Sequence, residues 1–250
     1  DNDLVFRETL RRHPTVLGRF LRTHQQGGHA KGLKSASIAK LGGDPMPFLP
    51  QFDGALANLP VLEAVASGIG MLVPSQEHDN IIRRVPAMVR IGETIQPTLS
   101  LEVLRVATGQ KTYVVKTDEA GISSVVIAGN EIPTDRQGRI WVHYTPSRSA
   151  LYISAADILS GKAGAAILNG RLALVGTSAL GLQDLRATPL DSAMPGVEVH
   201  AQLLETILSG SLLERPNFSV GAELSALAII GLLVIFLIPR VGALLTLGAG

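Results

Sequence analysis

Ser219–Ile238 is the stretch that most limits what this chain can become: twenty residues with a single charge, Glu223, in its first turns. At ~1.5 Å of rise per residue, a helix of that length reaches ~30 Å, the depth of a bilayer's hydrocarbon. The alternative is a helix buried in a protein core, but SALAIIGLLVIFLI has no polar face. A transmembrane helix is therefore expected over 219–238. Pro239–Arg240 interrupts the run and Val241–Gly250 resumes it, which reads as the start of a second span. Arg240 between the two favours a cytoplasmic turn, and so a globular domain on the opposite side.

The residues upstream have the means to fold. Hydrophobic residues make up 46% of the 250-residue chain, ample for a core. A net charge of +1 gives no reason to expect nucleic acid, which needs a concentrated basic face. With no cysteine there is neither a disulfide framework nor thiolate chemistry, in keeping with an envelope domain. The chain starts at Asp1 without a signal sequence and stops inside an apolar run, so it is expected to be a piece of something longer.

Taken in order, Asp3–Arg12 reads as a short charged helix stopped by Pro14, and Thr15–Leu21 as a strand. Gln25–Gln51 has no periodicity and is expected to be a loop; His24, His29, Lys31, Lys34 and Lys40 in or beside it are expected to be exposed. Asp53–Ser67 reads as an amphipathic helix whose regular part starts at Pro60, and Gly68–Val73 as a strand. Arg84–Ile91 alternates cleanly, with Val85, Ala87, Val89 and Ile91 on a buried face and Pro86 indicating an edge or a bulge. Thr98–Ala107 is a helix apolar nearly all round. Val125–Ala128, Glu131–Ile132 and Arg139–Tyr144, separated by turns, form a meander in which Ile140, Val142 and Tyr144 share a face. Trp141 is expected to pack and Ser154 to cap a helix over Ala155–Leu159. Helices alternating with strands, plus a hairpin region, argue for a three-layer α/β domain with a mixed, mostly parallel sheet over residues 1–212.

Leu172–Gly210 is where a functional site is expected. Leu172–Val175 reads as a buried strand, Gly176–Pro195 as a long ordered loop carrying Asp184 and Arg186, and Val197–Ser209 as an amphipathic helix ended by Gly210. An irregular segment this long between buried elements is usually functional. Asp184, Arg186, Glu198 and His200 are expected within reach of one another beside the helix start, as ligand-binding candidates. For His200 the alternative is a satisfied core histidine, and for Asp184 a loop-fixing acceptor of backbone hydrogen bonds.

The same stretch resembles a family. GTSALGLQD, the Thr-Pro of RATP and PGVEVHAQLLETILSG look like the signature of the second type of CHASE domain, the extracytoplasmic sensory domain of bacterial cyclases and histidine kinases. HDNIIRRVPAMVR with PTLSLEVLRVATG, and GRIWVHYTP with YISAADILSG, agree in order and spacing, so that the resemblance covers roughly Pro14–Gly210. It implies a sensor in the bacterial inner membrane, extracytoplasmic in its globular part, dimeric in the full-length receptor and responsive to a small-molecule or envelope ligand; separately, no cofactor is expected. The attached output would be a class III adenylate or guanylate cyclase, less often a protein kinase. In the family a transmembrane helix and a first strand–helix unit precede the point where this chain begins, so the sheet is expected to lack its first strands.

No catalytic chemistry stands out. There is no G-x-S-x-G, G-x-G-x-x-G or P-loop, Ser178 has no His–acid partner nearby in sequence, and Glu198 and His200 are two apart rather than four, so they make no metal pair. Arg83 and Arg84 read as a surface charge pair, with anion binding as the alternative. Three functions remain: a sensor, an enzyme with a converging site, and a structural or protein-binding envelope module.

Overall fold

The computed structural model describes residues 2–22, 36–74, 77–177, 184–215 and 219–241. Two compact units result, Asp1–Leu213 and Glu214–Gly250. His24, His29, Lys31, Lys34, Ser178 and most of the second expected span lie outside the described residues.

The first unit runs α1 (Asn2–Arg12), β1 (Val16–Arg22), β2 (Ser37–Leu41), β3 (Gln51–Phe52), β4 (Gly54–Ala55), α2 (Pro60–Glu63), β5 (Gly68–Leu72), β6 (Arg84–Pro86), β7 (Met88–Ile91) and β8 (Thr94–Pro97). It continues with α3 (Leu99–Ala107), β9 (Thr112–Asp118), β10 (Gly121–Ile127), β11 (Asn130–Pro133), β12 (Arg139–Trp141), α4 (Ala155–Leu159), β13 (Leu185–Arg186), β14 (Met194–Pro195) and α5 (Gly196–Leu208). Strands β4-β1-β5 and β8-β7-β3 form two three-stranded sheets, and the parallel bridge Met71–Thr98 joins them edge to edge. A second sheet, β11-β10-β9-β2, stands apart from these.

The mixed α/β class is as expected, but the sheet is neither single nor mostly parallel. Among the described residues three ladders are parallel, β1–β5, β2–β9 and β3–β7, and the other six are antiparallel. Short hairpins explain the difference. Gly92, at φ +57°, turns β7 directly back into β8, where the sequence reading carries the chain straight to a helix.

Other differences have local causes. The Gln25–Gln51 loop contains β2, an edge strand whose exposed, polar-rich face gives no alternation to read. Only one turn of the Asp53–Ser67 helix forms, beginning at Pro60, because Gly54–Ala55 pairs with β1 instead. The alternating Arg84–Ile91 stretch breaks at Ala87 into strands of two different sheets, and both of its faces are buried: Pro86 and Met88 are as covered as Val85 and Val89. Ser154 stands at the start of α4 without a side-chain cap bond. Leu172–Val175 is not a strand. It joins no ladder, and Val175 is 98% exposed.

One cluster of buried side chains lies between α3 and α5 and the sheet of β9–β11, with Leu101, Leu104, Val199, Leu203, Tyr113 and Val125 at its centre. A smaller one covers the other sheet around Ile69, Met71, Val89 and Phe52. Two glycines set how closely α3 approaches β5: a Cβ on Gly70 would strike the Leu99 backbone, and one on Gly68 the Glu102 carboxylate. Glu102 is buried there, accepting from Tyr113 Oη at 2.6 Å and from Arg105 at 2.6 and 2.8 Å.

The second unit contains α6 (Ser219–Val241), whose start is tied to Arg215 through Glu223 at 2.6 Å. Its large apolar side chains from Leu224 to Leu237 are all exposed. Among the described residues no helix is long and apolar enough to cross a membrane; in α6 the side chains are described continuously only from Gly221 to Leu237, short of the span expected at 219–238.

Candidate functional site

Helix α5 is the element on which three parts of the first unit converge. It begins where Pro195 leaves the extended region and ends where Gly210 takes φ +69°. Its apolar residues Val199, Leu203 and Leu204 are buried, as the sequence pattern requires. Glu198, Gln202 and Thr206 are buried too, and they form a polar stripe at four-residue spacing.

That stripe binds an extended segment as a neighbouring strand would. His143 N–H donates to Thr206 Oγ1 at 3.1 Å, Thr145 N–H to Gln202 Oε1 at 3.1 Å, and Ser147 Oγ to Glu198 Oε2 at 3.0 Å. Gln202 Nε2 returns a bond to Thr145 O at 3.0 Å. The match is geometric: two residues of extended chain advance ~6.6 Å and four helical residues ~6 Å, so every second strand residue meets every fourth helix residue. Tyr152 Oη also donates to Glu198, and burial followed by that carboxylate pushes its pKa up to about 12, keeping the phenol a neutral donor. Arg148 adds an outer ion pair to Glu205 at 2.5 Å.

His200 faces α3, where its Nδ1 is 2.9 Å from Ser100 Oγ. Burial holds its pKa down to about 4, with Asp184 pulling it up and Arg186 pushing it further down, so the ring is neutral at pH 7. Asp184 packs on the helix start: its carbonyl accepts from Gly196 N–H at 2.8 Å, and its carboxylate lies so close that a Cβ on Gly196 would come within 2.5 Å of Oδ1. Arg186 reaches Asp184 Oδ1 at 3.1 Å, and the β13–β14 ladder fixes both ends of this loop. A carboxylate at that position also complements the helix dipole.

The four sequence candidates thus divide. Asp184, Arg186 and His200 gather around the start of α5, whereas Glu198 points away to Ser147, Tyr152 and Gln202. The expected crevice at the carboxyl end of a Leu172–Val175 strand has no strand to define it. Gly176 instead abuts Val197, where a Cβ would come within 2.5 Å of the valine Cβ. Ser100, His200 and Asp184 superficially suggest a nucleophile triad, but Ser100 is fully buried between α3 and α5 and meets Nδ1, so no substrate carbonyl can reach its oxygen. Among the described residues no group of three or more His, Asp or Glu could hold a metal ion.

A second polar assembly forms around Arg84, which the sequence marks only as half of a surface charge pair or an anion-binding pair. Arg84 is mostly buried, pairs with Glu77 through two 2.8 Å bonds, reaches Asp135 at 3.1 Å, and lies 4.8 Å from the centre of the Trp141 ring. Arg83 alone behaves as the expected surface charge, paired with Asp79 at 2.9 Å. The signal available in sequence was the cross-strand register, which sets Arg84 opposite Trp141, but β6 and β12 lie more than fifty residues apart. The cleft beside this assembly is lined by Pro47, Phe48, Leu49, Pro50, Glu77, His78, Arg84, Gln137 and Arg139.

The family profile of the CHASE2 domain matches residues 1–238. The chain belongs to the CHASE2 family. CHASE2 is an extracytoplasmic sensory domain of signalling receptors. The CHASE2 match runs through the first unit and into α6, beyond the Pro14–Gly210 region whose motifs carry the resemblance in sequence. No curated protein and no solved structure matches the chain.

Proposed function

We propose that this CHASE2 domain is the sensing part of a bacterial inner-membrane receptor, that α6 crosses the membrane, and that α5 passes the signal to it. The observation that carries this reading is the convergence on α5: its polar stripe holds 143–152, His200 holds α3, and its first turn holds the loop of Asp184 and Arg186. Transmission requires that α5 have two arrangements, and a signal acting on one of these three supports would bias the balance between them. Asp184, Arg186 and His200 form the support at which a ligand or envelope signal acts. Glu198 contributes through the opposite support.

In sequence only residues 209–218 separate α5 from α6, and one of them, Pro216, is a residue type of restricted φ. The exposed apolar surface of α6 supports membrane insertion, since a Leu- or Ile-sized side chain gains ~1.5–3 kcal/mol on leaving water. The support for spanning comes from the sequence 219–238, whose twenty residues would reach ~30 Å as a helix, the depth of a bilayer's hydrocarbon. In the full-length receptor the domain forms a homodimer and regulates a class III adenylate or guanylate cyclase. Replacing residues 214–218 by a longer Gly/Ser linker in that protein, which keeps Leu212 on the core and the Leu213–Trp141 bridge, should leave the domain folded and abolish regulation of cyclase output. Regulation that survives the replacement would contradict coupling through α5 and favour a structural envelope module.

A further inference from the structure

The cleft beside Arg84 and Asp135 holds polar groups that the fold does not use. Its volume is about 380 Å³, at the small end of ligand pockets. Its lining is mostly polar, with Arg139, Gln137 and His78 among the polar residues and Phe48 and Leu49 among the apolar ones. The turn at Asp135 explains why Arg139 is available. Asp135 Oδ1 accepts from the N–H groups of Gln137 and Arg139 at 3.0 Å each, while its Oδ2 holds Arg139 Nε at 2.7 Å. The guanidinium is thereby oriented through one nitrogen, and its two terminal nitrogens have no protein partner among the described residues.

The acidic groups nearby are already compensated. Glu77 takes both of its Arg84 bonds in fork geometry, and Asp135 is shared by Arg84 and Arg139. All three nitrogens of Arg84 are engaged, so the unspent donors of the cleft are those of Arg139, the Gln137 amide and the His78 ring. We propose that the cleft binds a small organic carboxylate, whose two oxygens take the paired terminal N–H groups of Arg139 while a short carbon chain lies against Phe48 and Leu49. The fork of a guanidinium matches the two oxygens of a carboxylate, and Phe48 and Leu49 in the lining give a short carbon chain an apolar contact that inorganic phosphate cannot use. This goes beyond the sensor reading and can be measured without any output domain. The cleft is also tied to the α5 junction, because Ile82 N–H donates to Ala187 O at 2.8 Å, next to Arg186.

Trp141 is the only tryptophan, and the Arg84 guanidinium lies over its ring, so its emission reports on the cleft. The 250-residue chain in detergent would be titrated with sodium succinate and, separately, sodium phosphate, at ionic strength held constant with sodium chloride. Succinate should give a saturable change at lower concentration than phosphate, and Arg139→Gln should weaken it at least about tenfold. Because Arg139 also holds Asp135, the double variant His78→Ala, Gln137→Ala provides an independent arm; neither side chain has a protein partner among the described residues, and affinity should fall at least about threefold with the circular dichroism unchanged. Arg83→Gln, outside the cleft, should bind as the parent does. A response no different from chloride, phosphate binding as tightly as succinate, or unchanged affinity in the folded double variant would each overturn the proposal.

Discussion

Acidification should weaken the first unit through His200, by an amount the structure sets. The ring titrates near its ordinary 6.5 in the unfolded chain but at about 4 in the fold, so between these values the unfolded state binds the extra proton. Stability from this source is therefore complete above pH 6.5, falls as pH drops toward 4, and changes no further below that. Every tenfold difference in proton affinity between the two states is worth ~1.36 kcal/mol, so the loss approaches ~3 kcal/mol; the ring retains partial contact with solvent, which makes that figure a ceiling. Carboxylates held low by arginines, among them Glu77 beside Arg84, also weaken the fold on acidification. The comparison must therefore be a difference. Urea unfolding of the parent and of His200→Gln, which can still bond Ser100 but cannot take up the proton, would be followed from pH 7.5 to 4. The two curves should converge by up to ~3 kcal/mol as pH falls from 6.5 to 4, with the variant flatter. Parallel curves across that window would refute the reasoning, since the histidine would then titrate alike in both states.

Two further substitutions test the packing that supports α5. Gly70→Ala should destabilise the first unit by about 2 kcal/mol or more in denaturant unfolding, because the added methyl meets the Leu99 backbone rather than a movable side chain. Gln202→Ala should cost about 2 kcal/mol by the same assay and increase hydrogen exchange at Thr145, whose N–H and carbonyl both lose their partner.

The sequence was most informative where an element carries its own signals. α5 appears within one residue of its expected bounds because its apolar spacing and Gly210 are local features, and Pro60 marks the start of α2 for the same reason. It was least informative where non-local pairing decides the outcome. Gly54–Ala55 leaves a helical pattern to pair with β1, and Arg84–Ile91 alternates as one strand yet serves two sheets because Gly138 and Thr98 both claim the Ala87 backbone. Leu172–Val175 has the composition of a buried strand but no partner strand beside it. At the candidate site, the grouping of Asp184, Arg186 and His200 follows from the loop returning to the start of α5, which chain order suggests. The separation of Glu198 follows from helical geometry, since two residues apart on a helix face different directions. Neither the pairing of Glu198 with Tyr152 nor the cleft at Arg139 could be read, because each joins segments about fifty residues apart.

That the first unit lies outside the cytoplasm is the claim on which the sensor account rests, and the absence of native cysteine allows a direct measurement. A cysteine introduced by Val175→Cys, at a side chain 98% exposed, would be treated in bacterial spheroplasts with a membrane-impermeant maleimide. The account predicts full labelling before lysis, with no increase once the membrane is opened. Labelling that appears only after lysis would place the domain in the cytoplasm and contradict it.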